Sequence, residues 1–174
     1  LASASMSEMT DLLIVGGGLN GPALALAAAS AGLSARVLDA APAATHADPG
    51  FDGRAYALAL TTRRMLAALG VWDGVADKAQ PIDDIKVSDG VAGQGAAPFF
   101  VHFDHREIAE GPMGHMLEDR WLRRALLDAA AAVPGVALEN DALVTAHRSP
   151  ASGSRSGPIP PRATSATSAA TGRH

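Results

Sequence analysis

The sequence predicts an α/β fold in which a parallel sheet carries an inserted antiparallel segment, and three observations predict it. An apolar run, Leu12 to Val15, breaks into Gly16-Gly17-Gly18 and then into an Ala/Leu-rich stretch that continues to Ala31. A second short apolar segment, Ala35 to Leu38, follows at once and ends on Asp39. Farther on, residues 82–103 partly alternate polar and apolar side chains between turn-forming glycines. The first two give strand, tight turn, helix and strand, the unit from which parallel sheets are built. The third gives an antiparallel excursion.

Gly16, Gly18 and Gly21 fall on the spacing G-x-G-x-x-G. In a dinucleotide site the first glycine permits the turn, the second lets a pyrophosphate approach the backbone, and the third lets helix and strand pack closely. The helix N-terminus then offers N–H groups to phosphate oxygens. Helical residues Pro22 to Ala31 end at Gly32, a C′ position. Asp39 lies roughly 20 residues beyond the first glycine, where a ribose-binding carboxylate belongs. The pattern reads as a Rossmann-like dinucleotide-binding domain. The plainer reading is a structural glycine turn with Asp39 merely solvated.

The chain has 174 residues, enough for one domain with a sizeable core. Aromatics make up only 4%, so aliphatic side chains and alanine must supply the packing. With no cysteine there are no disulfides and no thiolate nucleophile or ligand. A net charge of −4 argues against a nucleic-acid partner. Residues 1–9 are polar, Ser/Ala/Met-rich and read as a flexible N-terminus. They lack the basic and apolar regions of a signal peptide, and Met6 or Met9 offers a natural start. Pro22 to Leu33 is the most apolar later stretch and is too short to span a bilayer, so no transmembrane segment is expected.

Ala40 to Gly53 reads as a loop at the C-terminal edge of the sheet, with His46 inside it and Arg54 directly after. A helix is expected over Leu58 to Leu69, ended by Gly70, with Val71-Trp72 packing back and Trp72 a core or lid residue. Ile82 to Asp89 has the pattern of a half-buried strand, and Pro98 to Phe103 that of its partner. His115 to Leu117 is a short extended piece. Glu118-Asp119 opens a helix with acids in its first turn, where the dipole favours them. Leu122, Ala125/Leu126 and Ala129/Ala130 form its apolar stripe, and Val133-Pro134-Gly135 stops it. Val136 to Leu138, and then Ala142 to Val144, are short strand candidates. From Thr145 the composition shifts: residues 1–144 hold all 18 acids, whereas residues 145–174 hold four arginines and no acid. That tail reads as disordered, either a natural flexible extension or a non-native stretch such as follows a change of frame. The abruptness of the shift favours the second.

No Walker A sequence, no H-E-x-x-H and no G-x-S-x-G is present. His102 and His105 flank Asp104, but in a strand their rings face opposite sides or flank a bend, so no metal site is expected. Asp83-Asp84 and Glu107/Glu110 read as solvated surface charge. Arg54, between the loop and a helix, is placed to reach a bound phosphate. Arg120, at a helix start, is either a second such arginine or an exposed partner of Glu118.

The run Leu13-Ile14-Val15-Gly16-Gly17-Gly18-Leu19-Asn20-Gly21-Pro22-Ala23-Leu24-Ala25, with Val37-Leu38-Asp39, resembles the FAD-binding domains of aromatic-ring flavin monooxygenases. Phe51-Asp52-Gly53-Arg54-Ala55-Tyr56-Ala57-Leu58 and Thr62 to Trp72 are similar to the ubiquinone-biosynthesis branch, the polyprenyl-phenol hydroxylases. Gln80-Pro81-Ile82 and Met113 to Leu126 extend the likeness, with 2-polyprenyl-6-methoxyphenol hydroxylases the nearest in pattern. The resemblance spans about residues 10–144. It implies that Gly16, Gly18 and Gly21 meet the FAD pyrophosphate, that Asp39, commonly Glu in the family, holds the adenosine ribose, and that Arg54 and Arg120 contact FAD. It further implies NAD(P)H as reductant and O2 and a lipid-tailed phenol as substrates. The implied location is cytoplasmic, peripheral at the inner membrane or within a ubiquinone-synthesis complex.

Family members are much longer, and their downstream Gly-Asp motifs and most of their substrate sheet have no counterpart here. The resemblance therefore implies a truncated, N-terminal portion of such an enzyme, with residues 82–115 beginning the substrate side. The other readings are a non-catalytic dinucleotide-binding module and a different flavin- or NAD-dependent oxidoreductase sharing the entry motif.

Overall fold

The computed structural model describes residues 10–47, 50–148 and 165–168, and the chain divides into two units. The first comprises residues 1–48 and 126–174, the second residues 49–125. The expected flexible N-terminus, and the tail apart from the two strand segments given below, lie outside the described residues.

The first unit is built on three parallel strands, β1 (Leu12–Val15), β2 (Ala35–Leu38) and β8 (Val136–Glu139), in the order β1-β2-β8. The registers run Leu12↔Ala35 to Val15↔Leu38 and Ala35↔Val136 to Leu38↔Glu139, leaving β2 central. Between β1 and β2 lies helix α1 (Asn20–Ser30). Pro22 sits in its first turn, where the missing N–H removes a donor that no helical carbonyl would receive. At its end Gly32 donates to Ala29 O and Leu33 to Ala28 O, the double closure expected of a C′ glycine. Ala25 and Ala28, at i and i+3, are buried with Ile14, Ala35 and Val37 in one core, and Leu12, Val136 and Leu138 pack against it. Small residues on the inner face of α1 let the helix lie close to the sheet. The outer face is free of that constraint, and Leu24 is 50% exposed.

The loop expected over Ala40 to Gly53 contains a short helix, α2 (Ala43–Ala47). A further strand of the first unit, β9 (Val144–Arg148), begins at the final residue of the expected Ala142–Val144 segment. It continues past the boundary drawn there and pairs antiparallel with β10 (Ser165–Ser168). Ala142 is buried but lies outside any strand.

The second unit holds an antiparallel sheet of β3 (Ala55–Ala59), β7 (Gly114–Glu118) and β4 (Gln80–Ile82), with β7 central. The helix expected from Leu58 instead begins two residues later, as α3 (Leu60–Ala68). Ala55 to Ala59 is strand because it pairs residue for residue with Glu118 to Gly114. That pairing overrides the helix propensity of its alanines and leucine. Gly70 closes α3, and Val71 and Trp72 turn back into the core at 2% and 6% exposure. The His115 ring meets Trp72 edge to face at 4.9 Å, and the Arg63 guanidinium lies over the indole. Burial and then the Arg63 charge hold the His115 imidazole below its ordinary range. Trp72 is thus a core residue.

The antiparallel segment appears as a two-stranded ribbon, β5 (Asp84–Val91) and β6 (Gly95–Asp104). The half-buried strand expected there is instead exposed along its length. Val87, Phe99, Phe100 and Val101 are 56%, 86%, 56% and 56% accessible. Helix α4 (Asp119–Ala132) starts one residue after the expected Glu118, which closes β7. Its stripe is as expected: Leu122, Leu126 and Ala130 are at most 4% exposed. The division between units falls inside this helix.

The central strand of the second unit tolerates no side chain at Gly114, because a Cβ there would lie 2.3 Å from the Leu58 carbonyl oxygen. Gly114→Ala must push β3 and β7 apart. We expect a loss of about 1–3 kcal/mol, the usual cost of overpacking, read as a lower urea midpoint at unchanged slope. An unchanged midpoint would contradict the close approach.

Candidate functional site

In the first unit the site is the turn between β1 and α1. Gly16 donates its N–H to Leu38 O at 2.8 Å and adopts φ +110°, a conformation that side chains strongly disfavour. This tips the chain out of β1 and across the end of β2. Gly21, in the first turn of α1, is packed against the turn itself: a Cβ there would lie 1.9 Å from Gly16 O and 3.3 Å from Val37 Cγ1. At Gly18 the equivalent position is open space. One glycine is therefore required for packing and another fronts a void. The void is an open hollow of about 330 Å³ bordered by Val15, Gly16, Gly18, Leu19, Asn20 and Leu24. That volume is within the range of small-molecule clefts.

The hollow opens on the N-terminal end of α1, whose first turn has no side-chain cap. No acid occupies that turn. Backbone N–H groups and the positive end of the helix dipole, roughly half a charge, are left facing whatever enters. The arrangement favours an anion.

Asp39, directly after β2, lies beside this turn with its side chain 15% exposed. Its Oδ1 accepts the Ala41 N–H at 2.7 Å and its Oδ2 accepts the Gly17 N–H. Burial pushes the carboxyl upward, but the Ala41 and Gly17 donors and His46 together outweigh it, so the group is held below its ordinary value. Asp39 is ionised at neutral pH, with two of its roughly four acceptor positions in use. His46, on α2, places Nε2 3.5 Å from Asp39 Oδ2. Sequence reasoning left His46 in a loop, because its approach to Asp39 requires the α2 turn.

The two predicted arginines belong to the second unit, where the start of β3 meets the start of α4. Arg54 O accepts the Asp119 N–H at 3.0 Å. The Arg54 guanidinium, 53% exposed, bonds Asp52 through Nε at 2.7 Å and also through Nη2, which lies 3.5 Å from Asp119 Oδ2. Arg120 Nε donates to Glu118 Oε2 at 2.6 Å, and its guanidinium lies over the rings of Trp121 and Phe51 at 4.8 and 5.6 Å. Arg120 thus pairs with Glu118, as the second of its readings expects, and is also stacked on two rings.

The residue that organises this corner is Asp119, expected only as an acid favourable to the helix dipole. It is 2% exposed, and its carboxylate receives the Tyr56 hydroxyl at 3.0 Å, the Arg123 guanidinium and the longer Arg54 contact. The hydrogen bond to Asp119, then burial and the Asp119 charge, raise the Tyr56 phenol above its ordinary value. Asp52 and Asp119 likewise raise the Arg54 guanidinium.

On the ribbon, the ligand atoms of Asp84, His102 and Asp104 lie within 4.8 Å of one another. His102 Nε2 meets Asp84 Oδ1 at 2.5 Å, and Asp104 is bonded by Arg106 through both Nε and Nη2. His105 falls beyond β6 in a 3-10 turn, so the two histidines flank a bend. Glu110 binds Arg64 at 2.7 Å rather than water alone.

Comparison with known proteins agrees with this geometry. The family described as FAD binding domain matches residues 9–156, and the chain belongs to it. The chain is homologous to ubiquinone-biosynthesis hydroxylases. It is 41% identical over 146 residues to the ubiquinone hydroxylase UbiL of Rhodospirillum rubrum, covering 84% of this chain and 33% of that protein. It is 34% identical over 145 residues to the 3-demethoxyubiquinol 3-hydroxylase of Escherichia coli K12, covering 82% and 36%. Among solved structures, a variant of P. aeruginosa PqsL superposes with a TM-score of 0.63 at 21% identity, over 82% of this chain and 36% of that one, a likeness of fold. The chain spans about a third of the length of the curated relatives it matches.

The chain has a single tyrosine, so phenolate absorbance reports Tyr56 alone. We expect it to titrate above the ordinary phenol range of about 10, and Asp119→Ala to move it back down. Because the folded-state value is raised, the stabilisation from this bond is complete below about pH 10 and is lost as pH rises through the folded value. Asp119→Ala should also cost about 3–5 kcal/mol by leaving Arg123 without its buried partner. A wild-type titration at the ordinary phenol value would contradict the network.

Proposed function

We propose that this chain is the FAD-binding portion of an NAD(P)H-dependent monooxygenase that hydroxylates a polyprenyl phenol in ubiquinone biosynthesis. The observation that carries the cofactor assignment is the turn: Gly21 can hold no side chain while Gly18 fronts an open, uncapped helix N-terminus. That combination fits a diphosphate, which needs backbone donors and space but no side chain between them. The likeness to UbiL supports the substrate class.

In this reading Gly16, Gly18 and Gly21 border the FAD pyrophosphate and Asp39 receives the adenosine ribose hydroxyls. Arg54 and Arg120 supply positive charge to the cofactor, each held in orientation by Asp52 with Asp119 and by Glu118 with the aromatic rings. FAD, when bound, would supply the redox chemistry of a ring hydroxylation in which NAD(P)H is oxidised, one oxygen of O2 enters the ring and the other leaves as water. The chain's own part is to bind, orient and exclude water. No helix among the described residues is long and apolar enough to cross a membrane. A lipid-tailed substrate then places the work at the periphery of the inner membrane, on its cytoplasmic side, alone or within a ubiquinone-synthesis complex.

The second reading is a non-catalytic FAD- or dinucleotide-binding module, which the same glycine turn and uncapped helix N-terminus would serve equally. A hybrid separates the two. Residues 10–144 replace the matched third of R. rubrum UbiL in a host lacking that hydroxylase. The monooxygenase reading predicts a yellow hybrid that restores ubiquinone, and Gly21→Val in it should abolish both. A hybrid that keeps FAD but makes no ubiquinone favours the module, and one that is colourless contradicts the cofactor assignment.

A further inference from the structure

His46 is the group at this site that the family assignment does not use. It lies on α2 with its side chain 9% exposed, and neither Nδ1 nor Nε2 reaches solvent or a hydrogen-bond partner among the described residues. A buried, unpaired imidazole is costly, because at least one ring nitrogen must carry a proton with no acceptor. Asp39 Oδ2 lies 3.5 Å from Nε2, an ion-pair distance rather than a hydrogen bond. Asp39 itself accepts the Gly17 N–H on that same Oδ2 and the Ala41 N–H on Oδ1. Its carboxylate is thus bracketed by two backbone donors and one ring.

We infer that His46 is a positioning residue for the adenosine end of the cofactor: paired with Asp39, it fixes the carboxylate in the orientation that receives the ribose hydroxyls. The inference rests on the FAD reading above. Two acceptor positions of Asp39 are occupied by backbone, so a ribose diol must use the remaining ones, and these face it only if the carboxylate does not rotate. Oδ1 and Oδ2 are pinned by N–H groups on different segments, the turn and the start of the α2 loop. Without the ring, only the Gly17 and Ala41 N–H groups hold the carboxylate, and the vacated space beside Oδ2 gives it room to turn. The effect is exerted through Asp39 and therefore appears only with ligands that carry ribose hydroxyls.

The test is a flavin-fluorescence titration of the full chain with FAD and with an FAD analogue whose adenosine is 2′,3′-dideoxy. Wild type, His46→Ala and His46→Gln are compared, and each apo protein is melted as a check on folding. Wild type should bind FAD more tightly than the analogue. His46→Ala should weaken FAD about tenfold, equivalent to about 1.4 kcal/mol, while binding the analogue as wild type does. His46→Gln, which can still donate toward Asp39, should recover most of the loss. Equal FAD affinity in wild type and His46→Ala overturns the inference and leaves the cofactor reading intact. So does an equal loss on both ligands, which marks a merely structural role. A wild type that binds neither ligand overturns the cofactor reading, and the positioning role with it.

Discussion

The contact on which the rest of this structure depends is that of Gly21 with the carbonyl of Gly16. With no room for even a methyl group between them, helix α1 begins directly against the turn that launches it. That closeness lets Ala25 and Ala28 reach Ile14, Ala35 and Val37, so the core of the first unit and its anion-facing hollow have the same cause. It also brings Gly17 to the end of β2, where its N–H fixes Asp39. Fold and candidate site are one piece of geometry here. A substitution that relaxed the packing would displace the helix N-terminus and the carboxylate together.

The second unit is organised by a different kind of interaction. Asp119 is buried, charged and bonded to Tyr56 and Arg123, with Arg54 at longer range. A buried carboxylate costs desolvation and is retained only when its partners are well aligned. The arrangement joins the start of β3 to the start of α4, positions more than sixty residues apart. Its evident product is orientation, since Arg54 is exposed yet tethered on two sides, and Arg120 beside it is pinned by Glu118 and two rings. In the proposed function these arginines meet a polyanion, and side chains already held lose less on binding.

What was legible in the sequence is what local pattern encodes. The apolar run, the glycine spacing, the C′ glycine and the acid at Asp39 specify strand, turn, helix and strand without reference to anything distant. What was not legible depends on pairing. Leu58 and Ala59 read as the start of a helix and are strand because β7 lies beside them. Asp119 reads as a helix-start acid, and its burial is visible only once Tyr56 and Arg54 are delivered by β3. His46 sits in a stretch whose composition says loop, and one turn of helix turns its ring toward Asp39. The ribbon is the opposite case: its alternation was read correctly as strand. The burial that alternation implies is absent among the described residues, where Phe99 is 86% exposed. The extent of the family match, to residue 156, also passes the compositional break at Thr145.

The most direct test of the central claim is an amide-resolved NMR titration of the isotope-labelled chain with FAD. The account predicts the largest shifts at the N–H groups of Gly16 to Gly21, with Ala41 and Asp39 moving at the same saturation point. Shifts centred elsewhere, or a glycine turn that does not respond at saturating FAD, would contradict it.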